Sequence, residues 1–337
     1  MKHLLLLLPL WAAPSAYAQQ DSAKAYFTKG ISEKSAKKYL VAAQSFEKAV
    51  KFNPSYTEAI LEQGLVLLEM RKLDAAKNCF EKVHQLEPGN TTAISELTNL
   101  YYSYRQYAKA IAFAQKCSGC PNASRIIGMS YYQQEEYGQA EKFLKASLDK
   151  NPADAEAAYT LARNYVDMEQ YGKAIPMYET AIKLDASKNS WIYELGLLYY
   201  NQNDYRNAVA SFKTAADNGY VQSNDFKENL GFASLHTGDF EKGEQLVLEI
   251  WSKKPGNTDL IRDMADVFYR QKQYDRSLIY CQKLMEIDSK DGKALYQAGL
   301  NFQRKGQKDR GQQMCDRAIE LDPSLDGLRK KKEMPGL

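Results

Sequence analysis

Apolar residues recur along this chain at helical spacings, in stretches separated by polar runs, and this pattern predicts paired helices. Between Asn189 and Gln222, apolar residues recur at spacings of three and four in two stretches, and a polar run from Asn201 to Asp204 separates them. Such spacings place side chains on one face of a helix, whereas Asn and Asp favour turns. The segment is therefore predicted to form two short helices packed against each other as a hairpin.

Two small residues indicate where these helices meet. Gly196 has no side chain, so the backbone of the second helix can approach closely there, and Ala208 allows the same from the second helix. Leu195, Tyr199 and Phe212 are predicted to fill the volume around the contact. The two helices thus carry the motifs L-G-x2-Y and A-x3-F.

Both small positions recur along nearly the whole chain. The equivalents of Gly196 are Gly30, Gly64, Thr98, Gly128, Ala162, Gly231, Ala265 and Gly299, with steps of 34, 34, 30, 34, 34, 35, 34 and 34 residues along the complete series. The equivalents of Ala208 are Ala42, Ala76, Ala110, Ala140, Ala174, Gly243, Ser277 and Gly311. Two parallel series with one period predict a tandem array, because a single hairpin cannot bury both of its faces.

The period and the two motifs resemble the tetratricopeptide repeat (TPR), although Trp191 stands one place early and Tyr220 occupies a position where Pro is common. The resemblance covers roughly residues 22–325 and implies an all-α fold, a right-handed α-solenoid of about nine helix-turn-helix units. Within an array spanning 19–325, we place the units at approximately 23–56, 57–90, 91–120, 121–154, 155–188, 189–223, 224–257, 258–291 and 292–325.

The first residues have the composition of a secretory signal peptide. A basic start precedes the apolar run from Leu4 to Ala13, and the small-residue pattern ending at Ala18 predicts a signal peptide over 1–18. The run is shorter than the roughly 20 residues of a spanning helix, so we expect no stable membrane insertion after cleavage. The short leader followed by Gln-Gln is typical of bacteria. We therefore expect the mature protein in the periplasm, or alternatively secreted or on the cell surface. At the other end of the chain, we expect residues 326–337 to form a solvated basic tail.

The single 30-residue step falls between Ala114 and Pro121 and predicts a shortened second helix in the third unit. It contains Cys117 and Cys120, which could form a local disulfide in an exported compartment, remain free thiols, or act in redox exchange. Redox catalysis is the weakest of these interpretations, because the pair follows a helix C-terminus and not an N-terminus that would lower a thiol pKa. The other cysteines, Cys79, Cys281 and Cys315, are predicted to be small core residues.

The amino-acid composition and charge do not point to a particular catalytic activity or ligand. With 45 basic and 42 acidic residues the net charge is only +3, so we expect no nucleic-acid partner. His84 and His236 lack ligand-spaced partners, and no phosphate-binding loop or acid–base pair is legible. We therefore predict a protein that is not an enzyme and has no metal or cofactor.

The resemblance also implies where a partner would bind, because the first helices of TPR arrays line a concave surface. The residue after the motif Tyr turns toward that surface, and aromatic rings there lose little entropy on gripping a peptide or helix. The candidate partner-binding residues are Tyr102, Tyr132, Tyr200 and Tyr269, with Asn99 and Arg163 on nearby turns. The alternative for each ring is that it only packs against the adjoining hairpin.

These patterns favour a non-catalytic protein–protein interaction scaffold of the bacterial cell envelope, serving an envelope or secretion complex. One alternative is an accessory subunit of a cell-wall or polysaccharide machine that binds glycan or recruits its enzyme. A weaker alternative is a thiol–disulfide redox protein acting through Cys117 and Cys120.

Overall fold

The computed structural model describes residues 13–117 and 119–328, and all regular structure in these ranges is helical. The helices are α1 (Ala13–Ser35), α2 (Tyr39–Phe52), α3 (Thr57–Glu69), α4 (Leu73–Leu86), α5 (Thr91–Ser103), α6 (Tyr107–Gln115), α7 (Ala123–Gln133), α8 (Tyr137–Lys150), α9 (Ala155–Asp167), α10 (Tyr171–Leu184), α11 (Asn189–Asn201), α12 (Tyr205–Asp217), α13 (Asn224–Thr237), α14 (Phe240–Lys253), α15 (Thr258–Arg270), α16 (Tyr274–Ile287), α17 (Gly292–Arg304) and α18 (Lys308–Leu321). A 3₁₀ turn at Pro323–Leu325 follows α18.

The helices follow one another as first and second members of hairpins, and the predicted all-α repeat fold is confirmed. Odd-numbered helices are the first helices and even-numbered helices are the second helices. The chain divides into two compact units, residues 1–177 and 178–337. Within each unit, and leaving α10 aside, a first helix packs on its own second helix, and that second helix packs on the first helix of the next pair. Each unit is therefore a stack of hairpins with a core that passes from pair to pair.

Small residues set the contact inside each hairpin, as the sequence predicts. A Cβ built on Gly196 would lie 2.7 Å from the ring of Phe212, and one built on Gly64 would lie 2.8 Å from the ring of Phe80. Both rings and Ala208 are fully buried. Because the ring occupies the space beside the glycine, a larger residue in either hairpin would force the ring to shift.

Every hairpin turn in the described residues contains one residue with a positive φ angle. Gly238 and Gly306 have φ angles of 90° and 86°, where glycine is unstrained. The other seven turns hold a residue with a side chain at φ angles of 56° to 61°: Lys37, Arg71, Arg105, Glu135, Glu169, Asn203 and Lys272. Such left-handed residues reverse the chain and end the first helix in a fixed direction.

The interrupted period has the structure that it predicts. Helix α6 has 9 residues, whereas α4 and α8 have 14 each. Just beyond α6 the structure joins Cys117 and Cys120 in a disulfide with Cα atoms 5.3 Å apart, while Cys79, Cys281 and Cys315 are free thiols.

The chain ends carry predictions that reach outside the described residues. Helix α1 begins at Ala13, ahead of the predicted first unit, and residues 1–12 of the predicted signal peptide lie outside the described ranges. Residues 329–337 of the predicted basic tail lie outside them too. Among the helices described, none combines the length and apolar character needed to cross a bilayer.

Candidate partner-binding surface

The first helices of each unit lie side by side and form one surface. In the first unit α5 contacts α7 and α7 contacts α9, and in the second unit α11, α13, α15 and α17 contact one another in order. We call these surfaces the first-helix face of unit 1 and the first-helix face of unit 2. The candidate binding residues divide between them: Asn99, Tyr102, Tyr132 and Arg163 lie in unit 1, and Tyr200 and Tyr269 lie in unit 2.

All four candidate tyrosines share one internal contact. Each packs on the aromatic residue that begins the second helix of its own hairpin, five positions later. The ring centroids are 5.7 Å apart for Tyr102 and Tyr107, 6.2 Å for Tyr132 and Tyr137, 5.4 Å for Tyr200 and Tyr205, and 5.8 Å for Tyr269 and Tyr274. The rings therefore help to close the hairpins. They differ in whether the hydroxyl group forms a hydrogen bond within the described residues.

Tyr102 is partly buried, and its hydroxyl forms no hydrogen bond within the described residues. Burial raises the pKa of this phenol, Tyr107 and Glu156 raise it further, and Arg125 opposes them. Asn99, one turn earlier, lies in a small depression with Cys120. Its side chain also hydrogen bonds Glu96 and so holds down the pKa of that carboxyl, which burial raises.

Tyr132 is engaged within the protein. It is 8% exposed, and its hydroxyl donates to the Oδ2 atom of Asp167 on α9 at 2.8 Å. The guanidinium of Arg163 lies over the rings of Tyr132 and Tyr159, 5.5 and 5.9 Å from their centroids. The structure thus brings Tyr132 and Arg163 together as a contact between adjacent first helices.

On unit 2, Tyr200 forms one wall of an open cavity of about 240 Å³. Its hydroxyl has no hydrogen-bond partner within the described residues, and burial raises its pKa to about 12, with Tyr205, Glu228 and Asp263 adding to the shift. Tyr205 stacks on His236, with centroids 3.9 Å apart and planes inclined by 6°. The cavity therefore has aromatic walls from three successive helices, α11, α12 and α13.

Carboxylates from α13 and α15 line the rest of this cavity. Burial raises the pKa of Glu228, and the nearby charges of Asp225 and Asp263 raise it further. Burial likewise raises the pKa of Asp263, with Asp259 and Asp266 adding to it and Arg262 opposing. Asp266 pairs with Arg270 at 2.9 Å. The cavity is therefore acidic, with a single guanidinium on its rim.

Tyr269 differs from Tyr200 because its hydroxyl accepts a hydrogen bond from Nε of Arg304 on α17, at 3.2 Å. At the same position of the repeat, Leu235 is fully buried in the core. Tyr102 and Tyr200 thus remain as the candidate rings whose hydroxyl groups have no hydrogen-bond partner in the part of the chain that the structure describes.

The sequence prediction missed the acidic half of the unit 2 cavity. The signal was present, because Asp259, Asp263 and Asp266 are spaced by four and three residues and so share one face of α15. His236 has no predicted role in the sequence, since it lacks metal-ligand partners there. In the structure it stacks on Tyr205, and no group of three His, Cys, Asp or Glu side chains in the described ranges is arranged for a metal ion.

Comparison with known protein families decides the class of the repeat. Models of the tetratricopeptide repeat match residues 131–187, 193–258 and 292–325. The chain is a tetratricopeptide repeat (TPR) protein. A model of the anaphase-promoting complex, cyclosome, subunit 3, matches residues 69–147. The TPR fold is that of a protein–protein interaction scaffold.

Similar proteins match only in part. Human RNA polymerase II-associated protein 3 is 39% identical over 64 residues, 19% of this chain and 10% of that protein. The human protein O-mannosyl-transferase TMTC3 is 25% identical over 102 residues, 30% of this chain and 11% of that protein. The chain thus spans about a tenth of the length of these relatives. The crystal structure of YrrB, described as a TPR protein with an unusual peptide-binding site, is 18% identical, with a TM-score of 0.45 over 59% of this chain and 100% of that chain.

Proposed function

We propose that this TPR protein is a non-catalytic scaffold of the bacterial cell envelope that holds a peptide or helix of a partner protein on its first-helix faces. One observation carries the proposal: Tyr102 and Tyr200 lie partly buried on these faces, and their hydroxyl groups form no hydrogen bond within the described residues. A phenol in this state offers apolar ring area together with an unused donor and acceptor, which suits the backbone and side chains of a bound segment.

The proposed compartment rests on the predicted signal peptide over 1–18 and on the pair Cys117 and Cys120, which an oxidising compartment would keep as a disulfide. The proposed role is assembly of an envelope or secretion complex.

The test places a photo-crosslinking amino acid at Tyr102 or Tyr200 in the full chain, expressed in its own cells. The matched control positions are Ala112 on α6 and Ala210 on α12, which are exposed on second helices of the same units. We expect crosslinks to a protein from Tyr102 and Tyr200 and none from the control positions. Equal capture from all four positions would contradict binding on the first-helix faces, and capture of glycan alone would favour the accessory-subunit alternative.

A further inference from the structure

Two neighbouring cavities of unit 2 share residues of the first helix α15. The first is the aromatic cavity of about 240 Å³ beside Tyr200. The second has a volume of about 380 Å³, and its lining includes the apolar residues Leu284, Ala294, Leu325 and Leu328 together with the basic residues Arg262 and Lys293. Asp263, Asp266 and Arg270 line both cavities, so a segment of a few residues could place adjacent side chains in the two.

Charge in the first cavity is not balanced. Glu228 and Asp263 form no ion pair within the described residues, and Asp266 pairs only with Arg270. Three carboxylates against one guanidinium leave a net charge of about −2 when His236 is neutral. Burial and Arg270 lower the pKa of His236 while Asp266 opposes them, so the imidazole does not supply the missing positive charge at neutral pH.

The walls of the first cavity suit an organic cation. Tyr200, Tyr205 and Phe232 present aromatic rings beside the carboxylates. A Lys ammonium or Arg guanidinium gains from both ring faces and carboxylates, and it gains more where water is partly excluded. A metal ion fits less well, because no three ligating side chains in the described part of the chain converge on one point.

We infer, on the basis of the proposed function, that the partner segment carries a Lys or Arg side chain that enters the first cavity beside Tyr200, next to an apolar residue that enters the second. The cation neutralises Glu228 and Asp263, which are repelled by neighbouring acids. Arg262 counters this repulsion in part at Asp263. Unit 2 is thus specific for a partner segment in which a basic residue stands next to an apolar one. An acidic peptide would be repelled.

The test selects from a random 12-residue peptide library on the full chain, and then measures enriched peptides by fluorescence anisotropy at low salt. The variant combines Glu228→Gln with Asp263→Asn. The control variant combines Asp217→Asn on α12 with Glu286→Gln on α16, which changes net charge by the same amount on second helices of the same unit. We expect Lys and Arg beside apolar residues among the enriched peptides, with binding weakened by about tenfold in the first variant only and weakened by added salt.

The possible results separate the two proposals. If peptides are enriched without basic residues, or if basic peptides bind the Glu228 and Asp263 variant as tightly as the original chain, the inference is overturned and the scaffold proposal stands. If no peptide of any kind is enriched, the proposal of peptide binding fails and the inference fails with it.

Discussion

Arg262 donates two hydrogen bonds to Asp291, with its terminal nitrogens 3.3 and 2.7 Å from the two carboxylate oxygens. Asp291 also caps α17, because its Oδ1 accepts the N–H of Ala294 at 2.9 Å. The same arrangement recurs in unit 1, where Arg125 pairs at 3.3 Å with the helix-capping Asp154. The Arg and the Asp are 29 residues apart in both pairs. An arginine on one first helix therefore fixes the N-terminus of the next first helix, which ties adjacent repeats together.

Asp291→Ala is expected to lower the free energy of unfolding by about 2 kcal/mol, because it removes the cap of α17 and leaves the partly buried Arg262 without its carboxylate. The matched control is Asp239→Ala: Asp239 stands at the N-cap of α14 but makes no capping hydrogen bond. Its effect should stay within about 0.5 kcal/mol. Urea titration followed by circular dichroism measures both, and equal losses would show that the contact is not specific.

Gly299→Ala is expected to destabilise the last hairpin by about 1–3 kcal/mol through overpacking. A Cβ at this position would lie 2.7 Å from the backbone oxygen of Gly311 and 2.7 Å from Sγ of Cys315. Backbone cannot move aside as a flexible side chain can. Gly138→Ala in α8 is the control, since no atom lies within 4 Å of its Cβ, and it should be neutral or stabilising. Thermal unfolding of the two variants tests this expectation, and similar melting temperatures would contradict the packing argument.

His236 is expected to make the fold sensitive to mild acid. Its pKa lies below the usual 6.5 because of burial and Arg270, so between pH 7 and the native pKa the unfolded chain binds a proton that the folded chain does not. Stability should therefore fall as pH falls from about 7.5 to about 5.5. His236→Phe keeps a ring against Tyr205 and should reduce this loss, whereas Tyr205→Phe keeps the imidazole and should retain it. An unchanged pH dependence in His236→Phe would rule out this residue as the source.

The cysteine pairing predicts a thiol count. Protein purified without reductant and then unfolded should show three reactive thiols, those of Cys79, Cys281 and Cys315, and five after reduction. Closing so short a loop should stabilise the fold by roughly 2 kcal/mol or less, so Cys117→Ser is expected to remain folded. Five reactive thiols before reduction would show that Cys117 and Cys120 are not joined in the purified protein.

The repeat architecture could be predicted from the sequence because it depends on local rules. Gly196 must be small because Phe212 occupies the space beside it, and a similarly close approach recurs at Gly30, Gly64 and Gly128 with the spacing of the repeat. The shortened α6 was predictable for the same reason, as the loss of four residues from a fixed period.

The candidate binding surface was only partly predictable, because the use of a side chain depends on residues one repeat away. Tyr102 and Tyr132 occupy equivalent positions, yet only Tyr132 meets an acceptor, Asp167, on the next first helix. Arg262 fits a binding face by its position, but Asp291 on the following repeat holds it. Such a contact needs a particular residue type at one position of the following repeat, and the motif of a single repeat does not show which first-helix side chains meet one.

The left-handed residues of the hairpin turns are positions where substitution by glycine could raise the thermal stability of the protein. Seven of the turns hold a residue with a side chain where glycine would be unstrained. Exchange of a Lys, Arg or Glu among them for glycine should gain about 0.5 kcal/mol after the loss of chain entropy, whereas Asn203 tolerates this conformation and bonds Tyr205. Lys37, Glu135 and Lys272 are exposed at these turns. A more heat-resistant form of the protein could thus be built without altering any side chain on either first-helix face.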